Sequence, residues 1–250
     1  MKKTLVWAHR GASGWDKQYA AENTMLAFER ANEMGADGVE LDVQLTRDGE
    51  VVICHDEYVD RTSDGKGPIR SYTLAELREL DFSKPHPEQG ITRIPTLREF
   101  LDFLRGTDMT VNIELKTSVV LYPGIEEKTA SLVHEFGLEE RVWYSSFNHE
   151  SVKIAMQYAP HSHFGFLFAQ PILDMPAYTA RYGAEALHPA RGMLDVCPDL
   201  IAKSHAAGRR VHVWVVDPRV DMAEMVRRGV DVFFTDCPDN ARKIVDEMTK

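Results

Sequence analysis

The chain has 250 residues, of which 44% are hydrophobic and 27% charged, as is usual for a globular protein with one large core. Its formal net charge of -10 argues against nucleic acid or an anionic membrane surface as the main partner. A small anionic substrate stays compatible with that charge, because a few cations can make one site locally positive.

Three scattered cysteines, Cys54, Cys197 and Cys237, lack the spacing of a metal-binding knuckle and the even number of a disulfide framework. We interpret them as reduced thiols, which fits a reducing compartment. The apolar run after Lys2-Lys3 is too short for a secretory signal, and no other stretch could span a membrane. We therefore predict a cytoplasmic protein without stable membrane insertion.

Short apolar runs alternate with amphipathic helical patterns along the whole chain. Strands are predicted at residues 5–9, 38–45, 51–55, 110–116, 141–145, 163–168, 184–188, 211–216 and 230–235. Helices are predicted between most of them, at residues 24–34, 126–136, 150–158, 198–207, 222–228 and 239–248. Alternation of this kind is typical of a parallel sheet with crossover helices.

One junction, at residues 46–50, leaves no room for a helix, and its Asp48-Gly49 pair is a strong hairpin signal. If Asp48 and Gly49 are the two turn residues, counting back places Asp42 opposite His55. Glu40 lies on the same face as Asp42, because side chains alternate along a strand. The hairpin is therefore predicted to bring Glu40, Asp42 and His55 onto one surface.

Eight candidate parallel strands remain when the return strand of this hairpin is set aside. Eight βα units in a chain of this length predict a (β/α)8 barrel, with its active site at the C-terminal strand ends. A doubly wound open sheet is the alternative, but it usually carries a glycine-rich phosphate loop, and none is present. The long segment at residues 57–105, with short helices predicted at 73–80 and 96–104, is expected to wall the pocket.

Carboxylates fall at the predicted ends of two barrel strands. Glu40, Asp42 and Glu114 could supply the hard oxygen ligands that Mg2+ or Ca2+ prefers. Flanking apolar residues place the first two on a buried strand, where carboxylates need partners. On spacing alone, Glu114 and Lys116 could equally form a simple ion pair.

Two histidines and two cations complete the set of candidate site residues. His9 and His55 could serve as acid and base, since imidazole titrates near neutral pH. Arg10 and Lys116 could hold a phosphate, the arginine through a bidentate fork. Together with the carboxylates, these groups are what metal-assisted phosphoryl chemistry requires.

Three further residues lie at predicted strand ends. Phe147 and Trp214 fit packing at the barrel mouth better than substrate contact on pattern alone, although we also count them as candidate substrate-binding residues. For His188 the pattern favours neither a core role nor a functional one.

Short strings follow one another along the chain: HRGASG at 9–14, ENT at 22–24, ELDV at 40–43, DG at 48–49, HD at 55–56, IPTL at 94–97 and IELK at 113–116. In these strings and their order the chain resembles the glycerophosphodiester phosphodiesterase family, of the bacterial cytoplasmic type. Weaker similarities follow at 146–147, 188–189, 208, 214 and 235–238. The resemblance thus spans nearly the whole chain, and no single motif carries it.

The resemblance implies a distorted TIM barrel forming a single domain over residues 1–250, with a small insertion at 57–109 after the third strand segment. It also implies metal-dependent hydrolysis of glycerophosphodiesters, such as glycerophosphocholine or glycerophosphoethanolamine, to glycerol 3-phosphate and an alcohol. By the family pattern, His9 and His55 would be the acid–base pair, with Asp56 beside the latter. Residues that would hold the divalent ion are Glu40, Asp42 and Glu114, with Glu22 and Asn23 nearby; residues that would contact phosphate are Arg10 and Lys116.

The chain departs from the family pattern at three places. Ala21 stands in place of Pro, the connection from His9 to Glu22 is longer, and Val215 and Asp217 replace Thr and Asn. These departures bear on which alcohol group of the substrate is preferred.

Two alternative functions stay open. One is a lysophospholipase D-type diesterase with an acyl groove, for which Phe164, Phe166 and Phe168 are candidates. The other is a catalytically silent binder of phosphodiesters.

Overall fold

The computed structural model describes residues 3–249. Its strands are β1 (Leu5–His9), β2 (Gly38–Leu45), β3 (Val51–Ile53), β4 (Thr110–Leu115), β5 (Val142–Ser146), β6 (His163–Phe168), β7 (Ala186–Pro189), β8 (Arg210–Val213) and β9 (Val232–Thr235). Parallel pairing runs through β1-β2-β4-β5-β6-β7-β8-β9, and β9 pairs with β1 again. The eight strands therefore close a barrel, with β3 as an extra strand outside it, which confirms the predicted fold class.

Helices surround this barrel. They are α1 (Met25–Glu33), α2 (Leu74–Leu77), α3 (Leu97–Arg105), α4 (Ile125–Phe136), α5 (His149–Tyr158), α6 (Met175–Arg181), α7 (Met193–Val196), α8 (Leu200–Ala206), α9 (Arg219–Arg228) and α10 (Pro238–Met248). The main core lies between strands and helices, where Val39, Leu41 and Val43 of β2 pack in one cluster with Phe28 and Phe100. The intervening residues of β2 are thereby directed to the barrel interior.

The hairpin between β2 and β3 differs from the predicted register by one residue. Val43 pairs with Ile53 and Leu45 with Val51, so Asp42 lies opposite Cys54 and the predicted pairing with His55 is wrong. The reason is a loop of three residues rather than two, closed by a hydrogen bond of 3.0 Å from the Thr46 amide to the Glu50 carbonyl. A three-residue hairpin loop commonly ends on a left-handed glycine, and Gly49 has φ 83°.

Strand β3 and the chain between it and α3 share a small apolar cluster, formed by Val52, Cys54, Val59, Ile69, Leu77, Phe82 and Ile94. Helix α2 contributes to it, whereas α3 packs on the main core through Phe100, Leu101 and Leu104. A capping box begins α3, in which the Thr96 hydroxyl accepts from the Glu99 amide and Glu99 accepts from the Thr96 amide. The last helix before β4 thus belongs to the barrel layer.

Two helices, α6 and α7, were not predicted from the sequence pattern. Both are short, and neither N-cap residue, Asp174 or Gly192, makes a side-chain capping hydrogen bond. The local signals that announce a helix are therefore weak there. Within residues 3–249, no helix is long and apolar enough to cross a membrane.

An aromatic layer fills the barrel interior. The ring centroids of Trp7 and Trp143 are 6.0 Å apart, and those of Trp7 and Phe234 are 5.5 Å apart. His188 belongs to this layer, with its ring 4.7 Å from that of His212 and burial that lowers its pKa to about 3. His188 is therefore a neutral core side chain.

Candidate active site

A pocket of about 390 Å3 opens into the barrel at the C-terminal strand ends. It is lined by His9, Arg10, Glu40, His55, Asn112, Glu114, Phe147, Leu167, Trp214 and Phe234. Seven of the predicted site residues thus meet at one pocket, and the other two, Asp42 and Lys116, contact its walls as described below. Asn112, which the sequence patterns did not single out, neighbours Glu40 across the β2–β4 pairing.

Three buried carboxylates form the centre of the site. Glu40 and Asp42 point inward from β2, and Asp42 lies beside Glu114 in the register of β2 and β4. One oxygen from each of the three lies within 4.8 Å of the others. Two oxygens bound to the same Mg2+ or Ca2+ are at most about 5 Å apart, because each lies 2.0–2.6 Å from the ion. The spacing therefore suits one shared divalent cation.

Lys116 is the first of two cations beside this carboxylate cluster. Its ammonium donates to Oε1 of Glu114 at 2.9 Å and lies 3.5 Å from Oδ1 of Asp42. Burial disfavours the charged ammonium, but Asp42 and Glu114 outweigh it and raise the Lys116 pKa. The ion pair that the spacing allowed is present, and it lies within the carboxylate cluster rather than apart from it.

Arg10 approaches the cluster from β1 by two routes. Its backbone amide donates to Oε2 of Glu40 at 3.0 Å, and its Nε lies 3.8 Å from Oδ2 of Asp42. Asn23 adds a hydrogen bond of 2.9 Å from Nδ2 to the same oxygen of Asp42. Arg10 and Asn23 both have left-handed backbone, at φ 57° and φ 56°, which costs energy for a residue with a side chain. Both strained residues thus carry a hydrogen bond to the carboxylate cluster.

The carboxylates have opposite pKa shifts. Burial, together with repulsion from Asp42 and Glu114, raises the pKa of Glu40, and burial with Asp42 raises that of Glu114. Burial acts on Asp42 too, but Lys116, His55 and Arg10 outweigh it and lower its pKa. Oδ1 of Asp42 is buried and accepts no hydrogen bond from residues 3–249. The Lys116 ammonium lies 3.5 Å from that oxygen as an ion pair. Excess negative charge around an oxygen that accepts no hydrogen bond fits a bound divalent cation.

His9 is held by a carboxylate at the end of the neighbouring strand. Its Nδ1 donates to Oδ1 of Asp236 at 2.7 Å, which leaves Nε2 for other partners. Burial opposes ionisation of Asp236, but the His9 contact outweighs it and lowers the pKa. The sequence contained Asp236 just after β9, yet only barrel closure, which pairs β9 with β1, reveals it as the partner of His9.

His55 has the same arrangement with its chain neighbour. Its Nδ1 donates to Oδ1 of Asp56 at 2.7 Å, as the family pattern suggested for these two residues. Asp56 also accepts a hydrogen bond from the guanidinium of Arg61. The same guanidinium donates to Glu22, which is the hydrogen-bond partner of Arg10. No sequence signal connected Arg61 with the site, because its partners come from distant parts of the chain.

Two aromatic side chains border the mouth of the pocket. The rings of Phe147 and Trp214 meet edge to face, with centroids 5.5 Å apart, and Phe147 is 37% exposed. Trp214 is fixed by a hydrogen bond of 2.7 Å from Nε1 to the His188 carbonyl. By contrast, the alternating phenylalanines of β6 at 164, 166 and 168 are buried in the main core, so they line no acyl groove.

Fold and pocket together define a (β/α)8-barrel enzyme with its site at the C-terminal strand ends. The sequence model of the glycerophosphoryl diester phosphodiesterase family matches residues 9–240, which is most of the chain. The chain therefore belongs to the glycerophosphodiester phosphodiesterase family, whose members are enzymes.

Individual relatives agree with this family. The chain is 43% identical to a glycerophosphodiester phosphodiesterase of Caldanaerobacter subterraneus, over 97% of this chain and 98% of that one. It is 39% identical to a glycerophosphodiester phosphodiesterase of Bacillus altitudinis, over 98% of this chain and 99% of the relative. The solved structure of an Oleispira antarctica phosphodiesterase in complex with the product sn-glycerol-3-phosphate superposes with a TM-score of 0.85, at 30% identity over 98% and 97% of the two chains.

Proposed function

We propose that this enzyme hydrolyses glycerophosphodiesters, such as glycerophosphocholine or glycerophosphoethanolamine, to glycerol 3-phosphate and an alcohol with a bound Mg2+ or Ca2+. The observation that carries the proposal is the meeting of two carboxylate-held imidazoles with a three-carboxylate cluster at one pocket. The phosphodiesterase of Oleispira antarctica holds sn-glycerol-3-phosphate, which is the product expected here.

The two cations beside the carboxylate cluster, Arg10 and Lys116, would bind the phosphate. Arg10 lines the pocket, and its guanidinium is held by Glu22 at 2.8 Å, so the arginine is oriented before substrate arrives. Lys116 is anchored by Glu114 and Asp42. Charged donors fixed in advance lose little entropy when they meet phosphoryl oxygens, and they stabilise the charge that develops there.

Proton transfer falls to His9 and His55. Each imidazole donates Nδ1–H to a carboxylate, Asp236 or Asp56, which fixes the ring and leaves Nε2 as the reactive nitrogen. One Nε2 takes the proton of the attacking hydroxyl, and the other protonates the departing alcohol oxygen. The attacking hydroxyl belongs to water or to the adjacent glycerol carbon. In the second route, loss of the alcohol leaves a cyclic phosphate that water then opens to glycerol 3-phosphate, so a trapped cyclic phosphate would identify it.

The residues that would hold the divalent ion are Glu40, Asp42 and Glu114. When bound, the ion supplies a Lewis acid that neutralises charge on the phosphoryl group. Phe147 and Trp214 border the same pocket and would pack against the carbon atoms of glycerol.

The test is turnover of glycerophosphocholine and glycerophosphoethanolamine, coupled to detection of glycerol 3-phosphate. His9→Ala and His55→Ala should each lower kcat by about 10²–10⁴-fold, the usual contribution of a positioned acid or base. His134→Ala is the control, since the His134 side chain is 84% exposed and its ion-pair partner is Glu139. Circular dichroism checks that the variants fold.

Metal dependence is tested on the wild type. A chelator should remove activity, and Mg2+ or Ca2+ should restore it. Near wild-type rates in either histidine variant would contradict the acid–base assignment, and full activity in chelator would contradict the metal site. A protein that binds these diesters without turnover would instead be the silent binder.

A further inference from the structure

We propose that Arg61 is a positioning residue that aligns His55 and Arg10 at the same time. Arg61 lies in the segment between β3 and α2, outside the barrel strands. The inference rests on the proposed function, because it assigns a residue that makes the same acid–base pair and phosphate contact effective.

The Arg61 guanidinium donates hydrogen bonds to two carboxylates, those of Asp56 and Glu22. Toward Asp56, its Nε donates to Oδ2 at 2.7 Å and its Nη2 to Oδ1 at 2.9 Å. Toward Glu22, its Nη1 donates to Oε2 at 2.6 Å and its Nη2 to Oε1 at 2.7 Å. Two bidentate contacts from one planar guanidinium fix the distance and the angle between the two carboxylates.

Each of these carboxylates holds a predicted site residue. Oδ1 of Asp56 accepts from Nδ1 of His55 at 2.7 Å, and Oε1 of Glu22 accepts from Nη1 of Arg10 at 2.8 Å. Both oxygens are shared with Arg61, so a shift of its guanidinium would move both partners. Two anions and two guanidiniums balance in charge within this contact, and Arg10 connects it to the carboxylate cluster through Asp42 at 3.8 Å.

The charges agree with this geometry. The pKa of Asp56 is lowered, first by the hydrogen bond from His55 and then by Arg61. Burial opposes ionisation of Glu22, but Arg61 and Arg10 outweigh it and lower its pKa. Both acids are therefore anionic at neutral pH, and removing Arg61 would leave Asp56 and Glu22 without the cation that joins them.

A matched pair of arginines makes the test sharp. Arg98 on α3 also makes a bidentate contact with one carboxylate, Glu135 on α4, where Nη1 donates to Oε1 at 2.5 Å and Nη2 to Oε2 at 2.7 Å. Its side chain is 54% exposed, against 46% for Arg61. Any purely structural effect of removing a partly exposed arginine fork should therefore appear in both Arg61→Met and Arg98→Met.

The expected result for Arg61→Met is a fall in kcat of about 10–100-fold, the usual loss when a group that orients a functional residue is removed. KM should rise by a smaller factor, and Arg98→Met should change neither constant. Arg61→Lys keeps the charge but loses the double fork, so its kcat should stay closer to that of Arg61→Met than to wild type.

A double-mutant cycle then shows whether Arg61 acts through His55. Adding Arg61→Met to His55→Ala should cost less kcat than Arg61→Met costs in the wild type, because the imidazole is already gone and only the contribution through Arg10 is left to lose. Equal losses in Arg61→Met and Arg98→Met, or full additivity with His55→Ala, would overturn the inference. Wild-type turnover is measured first: its absence refutes the proposed function, whereas turnover that is indifferent to Arg61 refutes only this inference.

Discussion

At the scale of single residues, contacts between neighbouring barrel strands decide which side chains are tolerated. Gly165 on β6 faces the imidazole of His188 on β7, and a Cβ atom built on this glycine would lie 2.1 Å from Nε2. His188 is itself fully buried and packed against His212 and Phe234, so it has little room to move. Glycine at 165 is therefore a requirement of packing inside the barrel.

We expect Gly165→Ala to lower the free energy of unfolding by about 1–3 kcal/mol, the usual cost of overpacking a filled core. Gly192→Ala is the matched control, because no atom lies within 4 Å of its Cβ position and its φ is -62°. The control should change stability by less than about 0.5 kcal/mol. Urea denaturation of both variants gives the comparison, and equal stabilities would show that His188 can move aside.

At the scale of elements, the β2–β3 hairpin is what brings His55 to the pocket. Its three-residue loop needs a left-handed residue at Gly49, and the Thr46 hydroxyl also accepts from the Glu50 amide at 2.9 Å. The loop thereby sets the register in which the Cys54 amide donates to the Asp42 carbonyl. His55 is the next residue after Cys54, so the geometry of the turn determines the position of the His55 backbone.

Gly49→Ala should lower the free energy of unfolding by about 1–2 kcal/mol, because an L-residue with a Cβ pays this in the left-handed region. Gly49→Asn should lose less, since asparagine enters that region more readily. Gly106→Ala is the control at φ -85°, an ordinary angle for alanine. Thermal or urea unfolding measures all three, and a neutral Gly49→Ala would contradict the turn geometry.

At the scale of the whole molecule, the carboxylate cluster links stability to pH and to metal. The folded-state pKa of Glu40 is raised, so the folded protein holds a proton there that the unfolded chain has released. The contribution of Glu40 to the free energy of unfolding is fully present below pH 4.5, the pKa of this side chain in the unfolded chain. It is lost as the pH rises towards the pKa of Glu40 in the folded protein. His188 has the opposite effect. Its pKa is lowered from 6.5 to about 3 in the folded protein, so its contribution to the free energy of unfolding rises with pH between these two values.

The difference in free energy of unfolding between wild type and Glu40→Gln reports on the carboxylate cluster, because His188 is present in both proteins. In chelator, wild-type stability should fall relative to Glu40→Gln above about pH 4.5, by at most about 1.4 kcal/mol per pH unit for one proton. Mg2+ or Ca2+ should reverse that fall in the wild type and have less effect on the variant. Urea titrations from pH 5 to 8 measure both, and parallel curves in chelator would contradict the raised pKa.

Several assignments remain predictions at this scale. The boundaries of the insertion at 57–109 within a single domain over residues 1–250, the cytoplasmic location and the roles of the individual site residues are among them. The small apolar cluster around Ile69 and Leu77 is compatible with an insertion, while α3 at its end packs on the main core.

The sequence by itself determined the alternation of strands and helices, the hairpin and the nine candidate site residues, because periodicity and turn signals are local. Tertiary structure decided the hairpin register, since one extra loop residue shifts every pair. It alone joined His9 to Asp236, which is 227 positions away, and Arg61 to Glu22, which is 39 positions away. Closure of the barrel and docking of the loop create those contacts, and no local pattern contains them.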